Sequence, residues 1–197
     1  MTRPLVLILF ALLAGCAGMR DTSSTATAPA ATHDEVQIAE LSLAIVALGK
    51  KVDAGEALQA AEVAIRYPQQ LAVEYELTTP PLWHNTLVNL GVKPRGLCVH
   101  WTRDLYVRLL ELEMRTLKLH WGVANSEAAF RIEHSTVIIT VRGEPMETGI
   151  VLDPWRNSGK LFWANVSEDT YEWEPLADVQ AKRRLKEAES PELAASR

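Results

Sequence analysis

The sequence predicts an α+β fold in which a helical N-terminal half packs on an antiparallel sheet formed by the second half. Three observations carry this. Apolar residues recur at helical spacing in the stretch before Gly122 and give way beyond it to runs rich in β-branched residues. Turn chemistry at Arg142-Gly143-Glu144-Pro145 and Asn157-Ser158-Gly159 separates those runs into short strands. Between a polar N-terminal stretch and a charged C-terminal one lie roughly 145 residues, enough for a single hydrophobic core.

Residues 1–15 read as a signal peptide. Arg3 supplies a positive start, Leu5 to Leu13 an apolar run too short to span a bilayer, and Leu13-Ala14-Gly15-Cys16 a small-residue cleavage site ending in cysteine. This segment resembles the lipobox of bacterial lipoproteins, which implies cleavage before Cys16 and lipidation of its thiol. A plain signal peptide cut near Ala17 is the alternative. Ala17, where retained inner-membrane lipoproteins often carry Asp, points to an outer-membrane anchor facing the periplasm. Residues 16–33 are rich in Ser, Thr, Ala, Asp and Pro without apolar periodicity, and read as a tether from the lipidated cysteine to a domain over residues 34–180.

Within that domain, Val36, Ile38, Leu41, Ala44, Ile45 and Leu48 place a helix over residues 34–50, with Gly49 as its stop. A second helix is expected over residues 53–67, with Asp53 as N-cap, Glu56 completing a capping box and Pro68 ending it. Residues 82–90 form a short helix or turn closed by Gly91. Leu97, Trp101, Leu105 and Leu109 then mark one face of a long helix over residues 97–119, closed by His120-Trp121. Strands follow over residues 130–141, 147–152 and 160–166. Residues 181–197, dense in mixed charge, read as a solvated tail.

The formal charge is −5, and losing Arg3 with the signal takes it to about −6, which argues against a nucleic-acid partner. The one basic cluster, Lys182-Arg183-Arg184 with Lys186, is interrupted by Glu187 and Glu189 and reads as a solvated helix face. No Gly-rich phosphate loop, dinucleotide fingerprint or Ser nucleophile elbow occurs.

With Cys16 consumed by lipid, Cys98 is the remaining thiol of a chain bound for an oxidising compartment. RGLCVHWTRDL sets it at a helix start, where the dipole favours thiolate. A hairpin turning near Gly143 and Glu144 brings His134 opposite Asp153. A thiol, an imidazole to take its proton and a carboxylate to orient the imidazole make a cysteine nucleophile. Taken singly, each residue has a bland role: a small core hydrophobe, a satisfied core histidine, a turn starter before Pro154. Zinc is the rival chemistry, from Cys98, His100, His120 and His134, but residues 98 and 100 point about 200° apart on a helix, so neither metal nor cofactor is expected.

The order Cys98, His134, Asp153, with Trp101 one turn after the cysteine, resembles the transglutaminase-like branch of the papain-like cysteine hydrolases across residues 83–173. HNTLVNLG, RGLCVHWTRDL, FRIEHS and VLDPWRNSGKLFW resemble more closely a group of uncharacterised proteobacterial lipoproteins. The resemblance implies a papain-like fold, with the nucleophile opening a helix packed on an antiparallel sheet. It implies amide-bond chemistry, by hydrolysis or acyl transfer, on a peptide or peptidoglycan peptide. The Cys98 N–H supplies one oxyanion donor, and Asn85 or His84 is the candidate for the second. The six tryptophans are mostly core, with Trp101 and Trp155 placed to line a substrate groove. A non-catalytic envelope binding or assembly lipoprotein with a decayed site is the other class the sequence allows.

Overall fold

A computed structural model describes residues 31–189. Cys16, the signal segment and most of the tether lie outside the described residues, as do residues 190–197. None of the described helices is long and apolar enough to cross a membrane.

The chain is a mixed α+β fold. Helix α1 (His33–Ala47) starts at Thr32, whose hydroxyl and backbone N–H exchange hydrogen bonds with Glu35 in a capping box, and it buries Ile38, Leu41 and Ile45. Helix α2 (Ala54–Glu74) is capped by Asp53 Oδ1, which accepts from the Glu56 N–H at 2.9 Å. Glu56 does not return the bond as expected. Its carboxylate accepts instead from the backbone N–H groups of Arg115 and Thr116, at 2.7 and 2.8 Å, and pins the helix to the sheet. Nor does α2 stop before Pro68. The proline sits in the apolar face formed by Ala60, Ala61, Ala64, Ile65 and Leu71, and burial of the turns beyond it offsets a missing hydrogen bond that costs about 3 kcal/mol in an exposed helix.

Helix α3 (Pro81–Asn89) has Pro81 in its first turn and ends before Gly91, whose φ of +73° suits glycine. Helix α4 (Cys98–Leu110) buries Trp101, Thr102, Leu105 and Leu109. The long helix expected over residues 97–119 is therefore two elements. Glu113, at φ +49°, turns the chain out of the helix, and β1 (Leu117–Ala124) begins with Leu117 and Leu119 buried around an exposed Lys118. The helix-forming residues between them favoured continuation locally, and pairing of all eight β1 residues with the next strand overrides that preference.

Strands β2 (His134–Val141), β3 (Ile150–Asn157), β4 (Lys160–Asn165) and β5 (Glu174–Pro175) complete an antiparallel sheet of order β4-β3-β2-β1-β5. The chain turns at Arg142-Gly143, where the Glu144 N–H donates to the Val141 carbonyl at 3.0 Å, and the connection to β3 then adds a 3₁₀ turn at Met146–Thr148. The pairing Val137↔Leu152 is accordingly displaced by two residues from the expected one. A displacement of two keeps every side chain on its face, so Asp153 lies diagonally from His134 and not opposite it.

Central β2 is buried along its whole length. On one face, Leu117, Leu119, Val137, Ile139, Ile150 and Leu152 pack with α1, α2 and α4, and on the other Ala124, Ile138 and Val151 pack with Met146 and Trp173. Thr102 of α4 meets Ser135 of β2 through buried hydroxyls 3.2 Å apart, which brings the start of α4 to the start of β2. Helix α5 (Leu176–Glu189) takes in the first half of the expected tail. It buries only Val179, and its Lys182, Arg183 and Lys186 pair with Glu174, Glu133 and Glu127.

Candidate active site

Cys98 opens α4, and its half-buried side chain directs Sγ toward the Glu133 carbonyl oxygen at 3.7 Å. The turn that delivers it is tied on every side. Gly96 adopts φ +122°, and a Cβ there would lie 2.1 Å from Nε2 of His84. Trp101 Nε1 donates to the Gly96 carbonyl at 2.9 Å. His100 Nδ1 accepts from the Gly96 and Leu97 N–H groups at 3.1 and 3.2 Å. The Arg95 guanidinium holds Asp104, which also accepts from the Tyr75 hydroxyl at 2.6 Å. The Cys98 N–H has no acceptor among the described residues, as expected for the first turn of a helix.

Two expectations are corrected here. His84 is fully buried, accepts from the Thr78 N–H at Nδ1 (3.2 Å) and donates from Nε2 to the Arg95 carbonyl (2.8 Å), so neither ring nitrogen is left for an oxyanion. Trp101 is 1% exposed and packs edge-on against Tyr75 at 4.7 Å, which makes it core beneath Cys98 and not groove. Each side chain takes the tightest site its neighbours leave, and the buried carbonyls of residues 95 and 96 require their donors.

His134 begins β2 at 2% exposure. Its Nε2 lies 2.7 Å from Asp153 Oδ2, whereas buried Nδ1 has no hydrogen-bond partner. Because Asp153 accepts, Nε2 carries the proton of the neutral ring and Nδ1 keeps a lone pair. The Cys98 sulfur lies near enough to act on this ring, yet Nδ1 makes no formed hydrogen bond. Burial pushes the imidazole's pKa down. The hydrogen bond and charge of Asp153, aided by the Cys98 sulfur, outweigh it and raise the value from 6.5 to about 9.

Asp153 is fully buried, with all its acceptor sites engaged. Oδ1 accepts from the Trp155 and Arg156 N–H groups at 3.1 and 3.2 Å, and Oδ2 from His134 and from Arg156 Nε at 3.1 Å. A bulge in β3 between Asp153 and Asn157 turns Arg156 back onto the carboxylate. In a regular strand residue 156 would point to the opposite face. The rings of Trp155, Tyr171 and Trp173 surround the imidazole at centroid distances of 4.8, 5.0 and 5.5 Å. Trp155 Nε1 donates to Asn85 Oδ1 at 3.1 Å, which orients the Asn85 amide and leaves its NH₂ as the unused end.

Two clefts of about 410 Å³ each meet at Cys98 and His134. Leu82, Ile132, Trp155 and Tyr171 wall the first, with Arg131 and Asn125 at its polar side. Asn85, Asn89, Val99, Trp121 and Leu176 wall the second. Trp155 thus lines the first cleft and Asn85 the second, both beside Cys98. Of the four side chains considered for zinc, Cys98 and His134 come together. His100 is spent on the turn, and His120 Nε2 is bonded to Thr140 at 2.9 Å. Among the described residues no group of three or more His, Cys, Asp or Glu is set to hold a metal ion.

Sequence reasoning missed Arg156, Asp169, Tyr171 and Trp173. Arg156, three residues after the proposed carboxylate, was the one local signal. The others arrive through a segment whose path only the folded chain defines. Comparison of the chain with family models, curated proteins and solved structures finds no match.

Proposed function

We propose that this chain is a lipid-anchored cell-envelope thiol hydrolase or acyl transferase of papain-like, transglutaminase-like architecture, acting on an amide bond of a peptide or peptidoglycan peptide. The observation that carries the reading is His134. It is clamped to buried Asp153 at 2.7 Å, with unpartnered Nδ1 beside the first residue of α4.

Nδ1 takes the Cys98 thiol proton, and the sulfur bonds to the carbonyl carbon as its π electrons move to oxygen. The Cys98 N–H and the Asn85 NH₂ meet that oxyanion. When it collapses, the C–N bond breaks, the imidazolium gives its proton to the departing amine, and a thioester remains. His134 next deprotonates water or a second amine, whose attack on the thioester expels the thiol. Both outcomes share one intermediate, and the apolar walls of the two clefts suit an extended peptide flanking the amide on each side.

The test is alkylation by iodoacetamide across pH, followed by trapping of a thioester from envelope extract. The expected result is a Cys98 that alkylates below the pH of an ordinary thiol near 8.5, and an adduct that Cys98→Ala abolishes without unfolding the chain. An unreactive Cys98 whose removal unfolds the protein would make it a core residue and end the enzymatic reading.

A further inference from the structure

Arg156 takes no part in the steps above, yet it is the most engaged side chain near the site. Nε donates to the Asp153 oxygen that also accepts from His134, and Nη1 and Nη2 donate to the two oxygens of Asp169 at 2.8 and 2.9 Å. The guanidinium carbon sits over the Phe162 ring at 3.8 Å and the Tyr171 ring at 4.9 Å. Asp169 accepts in turn from Trp173 Nε1 at 2.9 Å. Tyr171 and Trp173 pack on each other and on the imidazole. One side chain therefore grips the partner of His134 and, through Asp169, the aromatic segment that shields it.

We propose that Arg156 is a positioning residue, locking Asp153 and the aromatic wall of residues 171–173 into one water-excluding frame that holds His134 with Nδ1 toward Cys98. Its meaning for catalysis rests on the triad proposed above, whereas the clamp itself does not. The Asp153 and Asp169 side chains are 1% and 0% exposed, and two buried carboxylates require a partner with several fixed donors. Arginine's planar fork satisfies both at once, and a lysine ammonium cannot reproduce the bidentate pair.

The rival role is a simple counter-charge, and the two roles differ in sign. A counter-charge beside Asp153 weakens that carboxylate's hold on the imidazolium, so deleting it raises the pH at which His134 releases its proton. Loss of the frame admits water and slackens the His134–Asp153 bond, which lowers that pH. Besides Asp153, Cys98 from α4 acts on the ring and Tyr171 packs on it, Asp169 reaches it only through Arg156, and Glu133 and Arg131 just before β2 line the same cleft.

The experiment uses the full chain with Arg156→Lys and Arg156→Met, titrating the His134 imidazole by NMR and measuring iodoacetamide alkylation of Cys98 across pH. Positioning predicts that His134 titrates lower in both variants, moving from about 9 toward 6.5, with the alkylation profile moving alongside. An unchanged titration in R156K, alone or with a rise in R156M, overturns the proposal in favour of a counter-charge. Failure of R156K to fold overturns it in favour of a purely structural role, and R156K decides if R156M does not fold. A shifted His134 beside an unreactive wild-type Cys98 would remove the thiol chemistry and keep the positioning. A reactive Cys98 beside an unmoved His134 would remove the positioning alone.

Discussion

At His134, two opposing effects meet in one ring. Burial disfavours the imidazolium, and a buried carboxylate 2.7 Å away more than restores it, lifting the pKa from 6.5 to about 9. A histidine whose folded pKa is raised lends stability that is full below its unfolded value and is lost as pH rises through the folded one. The melting temperature should therefore fall between pH 6.5 and 9. In Asp153→Asn that fall should shrink, since the amide carries no charge to favour the imidazolium. The same substitution should cut the rate by several orders of magnitude, roughly 10⁴-fold where a comparable carboxylate has been replaced. It should also shift the alkaline limb of the pH–rate profile downward from about 9. Calorimetry at several pH values and pH–rate curves for both proteins check this. Equal pH slopes in the two melting curves would contradict it.

At the scale of elements, the turn into α4 is the most constrained local structure of the site. Gly96→Ala places a methyl 2.1 Å from a buried imidazole at a φ of +122°, so it should cost roughly 3 kcal/mol or more and suppress Cys98 alkylation in whatever still folds. Chemical denaturation with thiol labelling measures both. Trp101, one turn on, stands in the cluster of Leu71 and Tyr75, and its replacement by Ala should cost roughly 3–5 kcal/mol. The cost of Cys98→Ala should be far smaller, because that side chain is only half-buried. Equal losses of melting temperature in Trp101→Ala and Cys98→Ala would place the thiol in the core.

Across the whole molecule, long-range placements assemble the candidate site: α4 delivers the thiol, β2 the imidazole, bulged β3 the carboxylate. The segment after β4 then closes an aromatic wall over them. The proposed membrane anchor rests on Leu13-Ala14-Gly15-Cys16. Cys16→Ser removes the thiol that accepts the diacylglycerol, so the variant should accumulate as an unlipidated precursor. Mass spectrometry of the N-terminus reads this directly, and a wild-type N-terminus at Ala17 without lipid would refute it.

The sequence by itself determined the α+β class, the Asp53 cap of the second helix, most of β2 and β4, and the placing of His134 and Asp153 on one face of neighbouring strands. These are set by periodicity, capping and turn chemistry, which act between residues close in the chain. It did not reveal β1, because residues 111–116 are helix formers whose fate is decided by pairing with a strand many residues away. It did not reveal the passage of α2 through Pro68, because burial supplied what the local rule took away. The roles of His84 and Trp101 were misjudged for the same reason: a side chain's chemistry follows from the carbonyl or cavity it meets in space. Arg156, Asp169 and Tyr171 became part of the site only through the β3 bulge and the return of the chain after β4. Such contacts between segments far apart in sequence have no local signature, and tertiary packing alone decides them.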